Sequence, residues 1–141
     1  METNLNLNDP KVVASLIDHT ILKPEASVEE VLQYCQDAVK FGFASVCVNP
    51  SFVALAHGAL RASGVKTCTV IGFPLGATTS SVKYAEARRA LYDGAEELDM
   101  VINVGYLKSG DLGYVRQEIE TLSRIAHGEG ALLKVDRKSV V

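Results

Sequence analysis

Five short runs rich in apolar and β-branched residues recur along the chain. They are SLIDHTIL at 15–22, FASVCVN at 43–49, VKTCTVIGF at 65–73, ELDMVINV at 97–104 and ALLKV at 131–135. The stretches between them switch to a helical period. Val28, Val31, Leu32, Cys35 and Val39 follow the i, i+3, i+4, i+7 spacing, and so do Leu112, Val115, Ile119, Leu122 and Ile125. Local punctuation agrees. SVEE at 27–30 reads as a capping box opening a helix to about residue 41, and NPSF places Asn49 as an N-cap with Pro50 at the first helical position. That second helix is expected to run to about residue 62. A third spans roughly 79–93 and stops at Gly94, and a fourth spans about 111–127. Strands separated by segments long enough for a crossover helix pair in parallel, so the pattern predicts α/β architecture with about five parallel strands and four crossover helices.

The parity within the strands sharpens this. Polar side chains gather on one alternation: Asp18 and Thr20, then Ser45, Cys47 and Asn49, then Thr67 and Thr69, then Asp99 and Asn103, and finally Lys134. The opposite alternation reads Ile17, Ile21, Val46, Val48, Leu98, Met100, Ile102 and Leu133. A doubly wound sheet has helices on both faces and apolar residues on both parities. One apolar and one polar parity fits a β/α barrel instead, with helices outside and a chemical interior. Such barrels usually take about 250 residues, so 141 residues and five strands predict an incomplete (β/α)8 barrel in a single domain.

Composition removes several function classes. Apolar residues make up 48%, charged residues 22%, and the net charge is −3, which leaves neither a basic face for nucleic acid nor an acidic tail. No run approaches the roughly 18 apolar residues of a membrane helix, and the polar N-terminal stretch is unlike a signal peptide. Cys35, Cys47 and Cys68 form no C-x-x-C pair, so no metal site is expected and a reduced, cytoplasmic setting is.

Asp99 and Lys134 carry the candidate chemistry. They fall on consecutive strands and on the same polar parity, and neighbouring strands lie roughly 4.8 Å apart, so the two side chains are within mutual reach. A carboxylate beside an amine suits proton transfer or Schiff-base chemistry, because burial and neighbours tune both groups. It equally suits a buried ion pair that only offsets its own desolvation. Cys47 faces the polar side as a substrate contact or a small buried hydrophobe. His19 is expected to be a satisfied core histidine, and His57 and His127 to be structural or surface residues. GFPLGA at 72–77 is a loop where backbone can approach a ligand, and it matches no phosphate-binding fingerprint.

Six segments together resemble deoxyribose-phosphate aldolase. They are DHTILKPEAS, GFASVCVNP, VKTCTVIGFPLGA, the K-x-x-E-A run from Lys83 to Ala87, GAEELDMVINVG and LLKV, in that enzyme's order. The resemblance implies a (β/α)8 class I aldolase. It cleaves 2-deoxy-D-ribose 5-phosphate to glyceraldehyde 3-phosphate and acetaldehyde through a lysine Schiff base, without a metal or other cofactor. It implies that Asp99 is the acid assisting proton transfer, that Lys134 lies beside it, and that Asp18, Thr20 and Cys47 line the substrate pocket.

The family pattern continues beyond LLKV to a later K-T-S-T-G strand bearing the Schiff-base lysine, whereas residues 136–141 read DRKSVV and are expected to be a tail outside the family pattern. The resemblance therefore implies a C-terminally truncated aldolase, inactive alone. Two other readings stay open: a non-catalytic fragment that oligomerises, and a small enzyme using Lys134 as its amine. An open barrel would expose strand edges, and Val70 and Val101 on its inner face are expected to meet water. Homo-oligomers formed through that open face follow as an expectation.

Overall fold

The computed structural model describes residues 5–137. A short helix α1 (Pro10–Ala14) precedes β1 (Asp18–Ile21), followed by α2 (Val28–Phe41) and β2 (Ser45–Val48). A 3₁₀ turn (Pro50–Phe52) leads into α3 (Val53–Leu60) and β3 (Lys66–Ile71), and then come α4 (Ser80–Tyr92) and β4 (Glu97–Val101). A short α5 (Val104–Lys108) and the long α6 (Leu112–Gly128) lead to β5 (Leu132–Asp136). The strands form one parallel sheet in the order β1-β2-β3-β4-β5, so each crossover moves one position along the sheet, as in a barrel wall.

The expected boundaries hold where local chemistry fixes them. Both halves of the capping box are made: Ser27 Oγ accepts from the Glu30 N–H at 3.2 Å, and Glu30 Oε2 accepts from the Ser27 N–H at 2.9 Å. Other details differ. Residues 15–17 belong to the turn closing α1, so β1 starts at Asp18. Asn49 does not cap with its side chain. Its amide donates to the Leu22 carbonyl at 3.2 Å, tying the end of β2 to that of β1, and the chain makes a 3₁₀ turn before α3 begins. Asn103 ends no strand: its side chain accepts from the Tyr106 N–H at 3.2 Å and opens α5. On α2 the buried stripe is Val31, Cys35 and Ala38, with Val28 and Val39 exposed, and Leu112 at the start of α6 is exposed too. Of the expected tail, Asp136 closes β5 and Arg137 follows it, and residues 138–141 lie outside the described residues.

The main core lies between the sheet and its helices. Ile21, Val46, Val48, Ile71, Leu98, Met100 and Ile102 point outward into α2, α3, α4 and α6. Thr67 and Thr69 join this side, which corrects the polar alternation expected for β3. They are the Cα partners of Val46 and Val48, both are buried, and Thr69 Oγ1 donates to the Val48 carbonyl at 2.7 Å. A backbone acceptor meets the Thr69 hydroxyl where it stands, so polarity does not drive it to the concave side, whereas Thr67 Oγ1 is buried without a hydrogen-bond partner. His19 also packs here, its ring stacked 4.2 Å from Tyr34. It is not the satisfied histidine expected, because its Nε2 is buried without a hydrogen-bond partner.

Cys47, Cys68 and Val70 form a second, small cluster on the concave side, with Leu22 and Phe73 against them. Val70 and Val101 are 4% and 2% exposed, which corrects the expectation that they meet water. The floor of the concave face is thus covered by its own side chains. Large apolar residues are exposed at the two edges instead: Leu16 and Ile17 beside β1, and Leu132 and Val135 in β5.

The K-x-x-E-A run fastens α4 to the sheet. Lys83 is fully buried; its Nζ donates to the Val101 carbonyl and to Glu118 Oε2 on α6, both at 2.8 Å. Glu118 is equally buried and accepts from Ser80 Oγ at 2.9 Å through its other oxygen. One turn on, Glu86 accepts the Gly72 N–H at 2.7 Å, pinning the loop after β3. α4, α6 and the C-terminal ends of β3 and β4 are therefore one polar-locked unit.

Candidate active site

Asp18, Thr20, Cys47, Asp99 and Lys134 all stand on the concave parity of the sheet. The register pairs Thr20 with Cys47, Cys47 with Cys68, and Asp99 with Lys134. What register alone does not convey is curvature. Lys134 Nζ on β5 donates to Asp18 Oδ2 on β1 at 2.6 Å, although these are the two outermost strands of the sheet. In an eight-stranded barrel the first and fifth strands face each other across the lumen, and inner layers are filled from alternate strands. The contact is what a sheet with barrel curvature gives.

Lys134 does not pair with Asp99. Its second partner is Glu97 Oε2, also at 2.6 Å, an ion pair whose approach angle is not that of a hydrogen bond. Asp18 in turn accepts from Ser45 Oγ at 2.6 Å. Burial works against the Lys134 ammonium, yet the Asp18 and Glu97 carboxylates outweigh it and hold the amine well above its ordinary range. Burial also raises Asp18, and the hydrogen bonds from Lys134 and Ser45 outweigh that to hold it below its ordinary value. Asp99 moves the opposite way. Half-buried, it is pushed up by desolvation first and then by the charge of Asp136; Lys134 pulls it down, and the weaker push of Asp18 adds to the rise. Among the described residues no hydrogen bond reaches its carboxylate. The cluster thus holds one fixed cation, one fixed anion, and one carboxyl group whose proton is retained to higher pH.

Thr20 is exposed on the concave side and turns its hydroxyl onto the Asp18 carbonyl at 2.8 Å. Cys47 is buried against Cys68; the hydrogen bond that the Cys68 thiol makes with Cys47 and burial both push the Cys68 thiol far up, so it stays a protonated thiol. Two acidic residues of this face escaped the sequence reading. Glu97 sits two positions before Asp99, and the i, i+2 rule of a strand would have placed it beside Asp99. Asp136, two positions after Lys134, follows the same rule. His57 and His127 take no part: His57 packs against Gly94 beneath α3, and His127 ends α6.

Above this face lies the loop after β3. Gly72 and Gly76 adopt φ of +68° and +64°, and the Gly76 N–H donates to the Gly72 carbonyl at 2.7 Å. A Cβ on Gly76 would fall 2.0 Å from the Ile102 carbonyl oxygen, so this turn lies directly against the backbone leaving β4.

A family model described as DeoC/LacD family aldolase matches residues 12–134. The chain belongs to the DeoC/LacD aldolase family. Similar curated aldolases of this kind include the deoxyribose-phosphate aldolase of Clostridium kluyveri, 54% identical over 127 residues, covering 90% of this chain and 58% of the relative. That of Thermococcus gammatolerans is 53% identical over 125 residues, covering 87% and 56%. The solved structure of the Aeropyrum pernix deoxyribose phosphate aldolase, described as tetrameric, superposes with a TM-score of 0.84 at 36% identity, covering 92% of this chain and 53% of that one. The chain thus spans a little over half the length of the aldolases it matches. Its five strands and their helices are an incomplete α/β barrel of the aldolase fold. Among the described residues no helix is long and apolar enough to cross a membrane, and no group of three His, Cys, Asp or Glu side chains is placed to hold a metal ion.

Proposed function

We propose that this chain carries the first five strands of a deoxyribose-phosphate aldolase active site, in which 2-deoxy-D-ribose 5-phosphate is cleaved to glyceraldehyde 3-phosphate and acetaldehyde. The supporting observation is the raised, unbonded carboxyl of Asp99 on the concave face, beside a lysine that two other carboxylates hold. Asp99 is the acid and base that moves protons at the substrate carbon. Lys134 supplies fixed positive charge, and Asp18, Thr20 and Cys47 line the pocket for the phosphosugar. A Schiff base needs an amine that is neutral part of the time. Lys134, doubly paired at 2.6 Å, is the wrong amine for that step, and in this reading the reactive lysine belongs to a later strand of the aldolase pattern. The chain by itself is therefore inactive in this reading, and its setting is cytoplasmic, with all three cysteines as free thiols.

Trapping tests this. Incubation with acetaldehyde and borohydride, followed by mass spectrometry, is expected to leave Lys134 unmodified, whereas turnover is expected once strands carrying the missing amine from a relative are added. An adduct that disappears in Lys134→Ala would overturn the assignment and make Lys134 the reactive amine.

A second reading, a barrel fragment that oligomerises, rests on the exposed edge residues Leu16, Ile17, Leu132 and Val135. Unpaired parallel edges flanked by apolar side chains recruit another copy. Obligate contacts of that kind bury more than about 2,000 Å². Light scattering at micromolar concentration is expected to show a dimer or larger species, and a stable monomer there would rule the association out.

A further inference from the structure

Glu97 is a partner of Lys134, and its placement does more than fix that charge. It lies on β4, and its carboxylate contacts Lys134 Nζ at 2.6 Å. Asp18 grips the same nitrogen at 2.6 Å from β1, the far edge of the sheet. Yet the residue directly paired with Lys134 in the register is Asp99. A lysine ammonium has three donors on a flexible stem and turns to whichever carboxylates offer the best contacts. Four acidic side chains share its face of the sheet: Asp18 on β1 and Glu97 on β4, which touch it, Asp99 on β4, and Asp136, two residues further along its own strand. β3 adds Val70, the Cys68 thiol and Lys66 to this side; Lys66 is paired with Glu96 at 2.8 Å and also feels the charge of Glu97.

We infer that Glu97, acting together with Asp18, is a positioning residue that draws Lys134 Nζ away from Asp99, its register partner. The inference rests on the aldolase reading for the part that Asp99 plays; the contacts that carry it stand in this chain alone. Paired to Lys134, Asp99 would ionise readily and lose its capacity to donate. With Lys134 held elsewhere, Asp99 feels burial and the neighbouring acids more strongly than the cation. Glu97 is placed for this because positions i and i+2 of a strand share a face, so its longer side chain reaches the ammonium from beside Asp99.

The test is a titration cycle on the intact chain, with the Asp99 carboxyl carbon followed by ¹³C NMR. In Glu97→Gln the lysine is released toward Asp99, and the Asp99 midpoint is expected to fall. Removing a nearby charge would also lower that midpoint, so the same substitution is repeated in a Lys134→Met background, where no cation remains to swing. There the fall is expected to be clearly smaller. Equal falls in both backgrounds would overturn the inference and leave Glu97 as a mere neighbouring charge. Should Lys134→Met fail to fold, the unmodified chain decides: the Lys134 ¹⁵Nζ resonance is expected to stay nearly constant as pH passes through the Asp99 midpoint. A large change there would mean that Lys134 pairs with Asp99 after all. No substrate enters these measurements, so absence of aldol chemistry would count against the proposed function and not against the clamp.

Discussion

Glu118→Gln is expected to cost the fold about 3–5 kcal/mol, read as a lowered urea midpoint with unchanged slope. The substitution keeps the volume of the side chain and removes its charge. Lys83 would remain fully buried between α4, α6 and the end of β4, keeping its hydrogen bond to the Val101 carbonyl and losing its counter-charge. Desolvating an ammonium is repaid only by a well-placed anion, and Glu118 at 2.8 Å is that anion here. Domains of this size hold only about 5–15 kcal/mol in total, so the variant should sit close to the folding threshold. The paired replacement Lys83→Met with Glu118→Leu is expected to recover most of the loss, because it removes both charges and refills the space. A Glu118→Gln variant within 1 kcal/mol of the parent, as an order-of-magnitude limit, would show that the pair contributes little.

Gly76→Ala is expected to be nearly as damaging, by roughly 2–5 kcal/mol. Holding an alanine at φ +64° costs about 1–2 kcal/mol, because the left-handed region crowds Cβ against the following carbonyl. The new Cβ would also land 2.0 Å from the Ile102 carbonyl oxygen, and backbone there has little room to retreat. Overpacking of that kind adds about 1–3 kcal/mol. The contrast is Gly58→Ala, inside α3, where nothing lies within 4 Å of the added methyl. That change is expected to stabilise the chain by about 0.5–1 kcal/mol through helix propensity. Urea midpoints of the two variants should therefore move in opposite directions, and a Gly76→Ala variant as stable as the parent would show that the turn relaxes freely.

Much of the fold is legible in the sequence because its signals are local. The period-2 runs become β1 to β5, and Ser27 and Glu30 close their capping box where the motif reads. The concave placement of Asp18, Cys47, Asp99 and Lys134 follows from parity alone. Two of the misreadings come from polarity satisfied nearby. Thr69 bonds the Val48 carbonyl and Asn49 the Leu22 carbonyl, so neither needed the position its polarity suggested. The partner of Lys134 was not legible, because adjacency of β4 and β5 points to Asp99. The actual partner from β1 arrives only through curvature, which no alternation of residues encodes. The Lys83–Glu118 pair escaped for a related reason: its two charges lie 35 residues apart and meet only when α4 packs beside α6.

The meeting of Asp18 with Lys134 has a mechanical consequence. A flat parallel sheet of five strands would hold its outer members too far apart for any side-chain contact, since each neighbour adds roughly 4.8 Å. Here an ammonium and a carboxylate span that gap, so the bend is already present in these strands. Further strands added to either rim would dock on a trough of the right radius and would not need to force one upon a plane. Neutralising Asp18 would loosen that arch without removing a single backbone pairing.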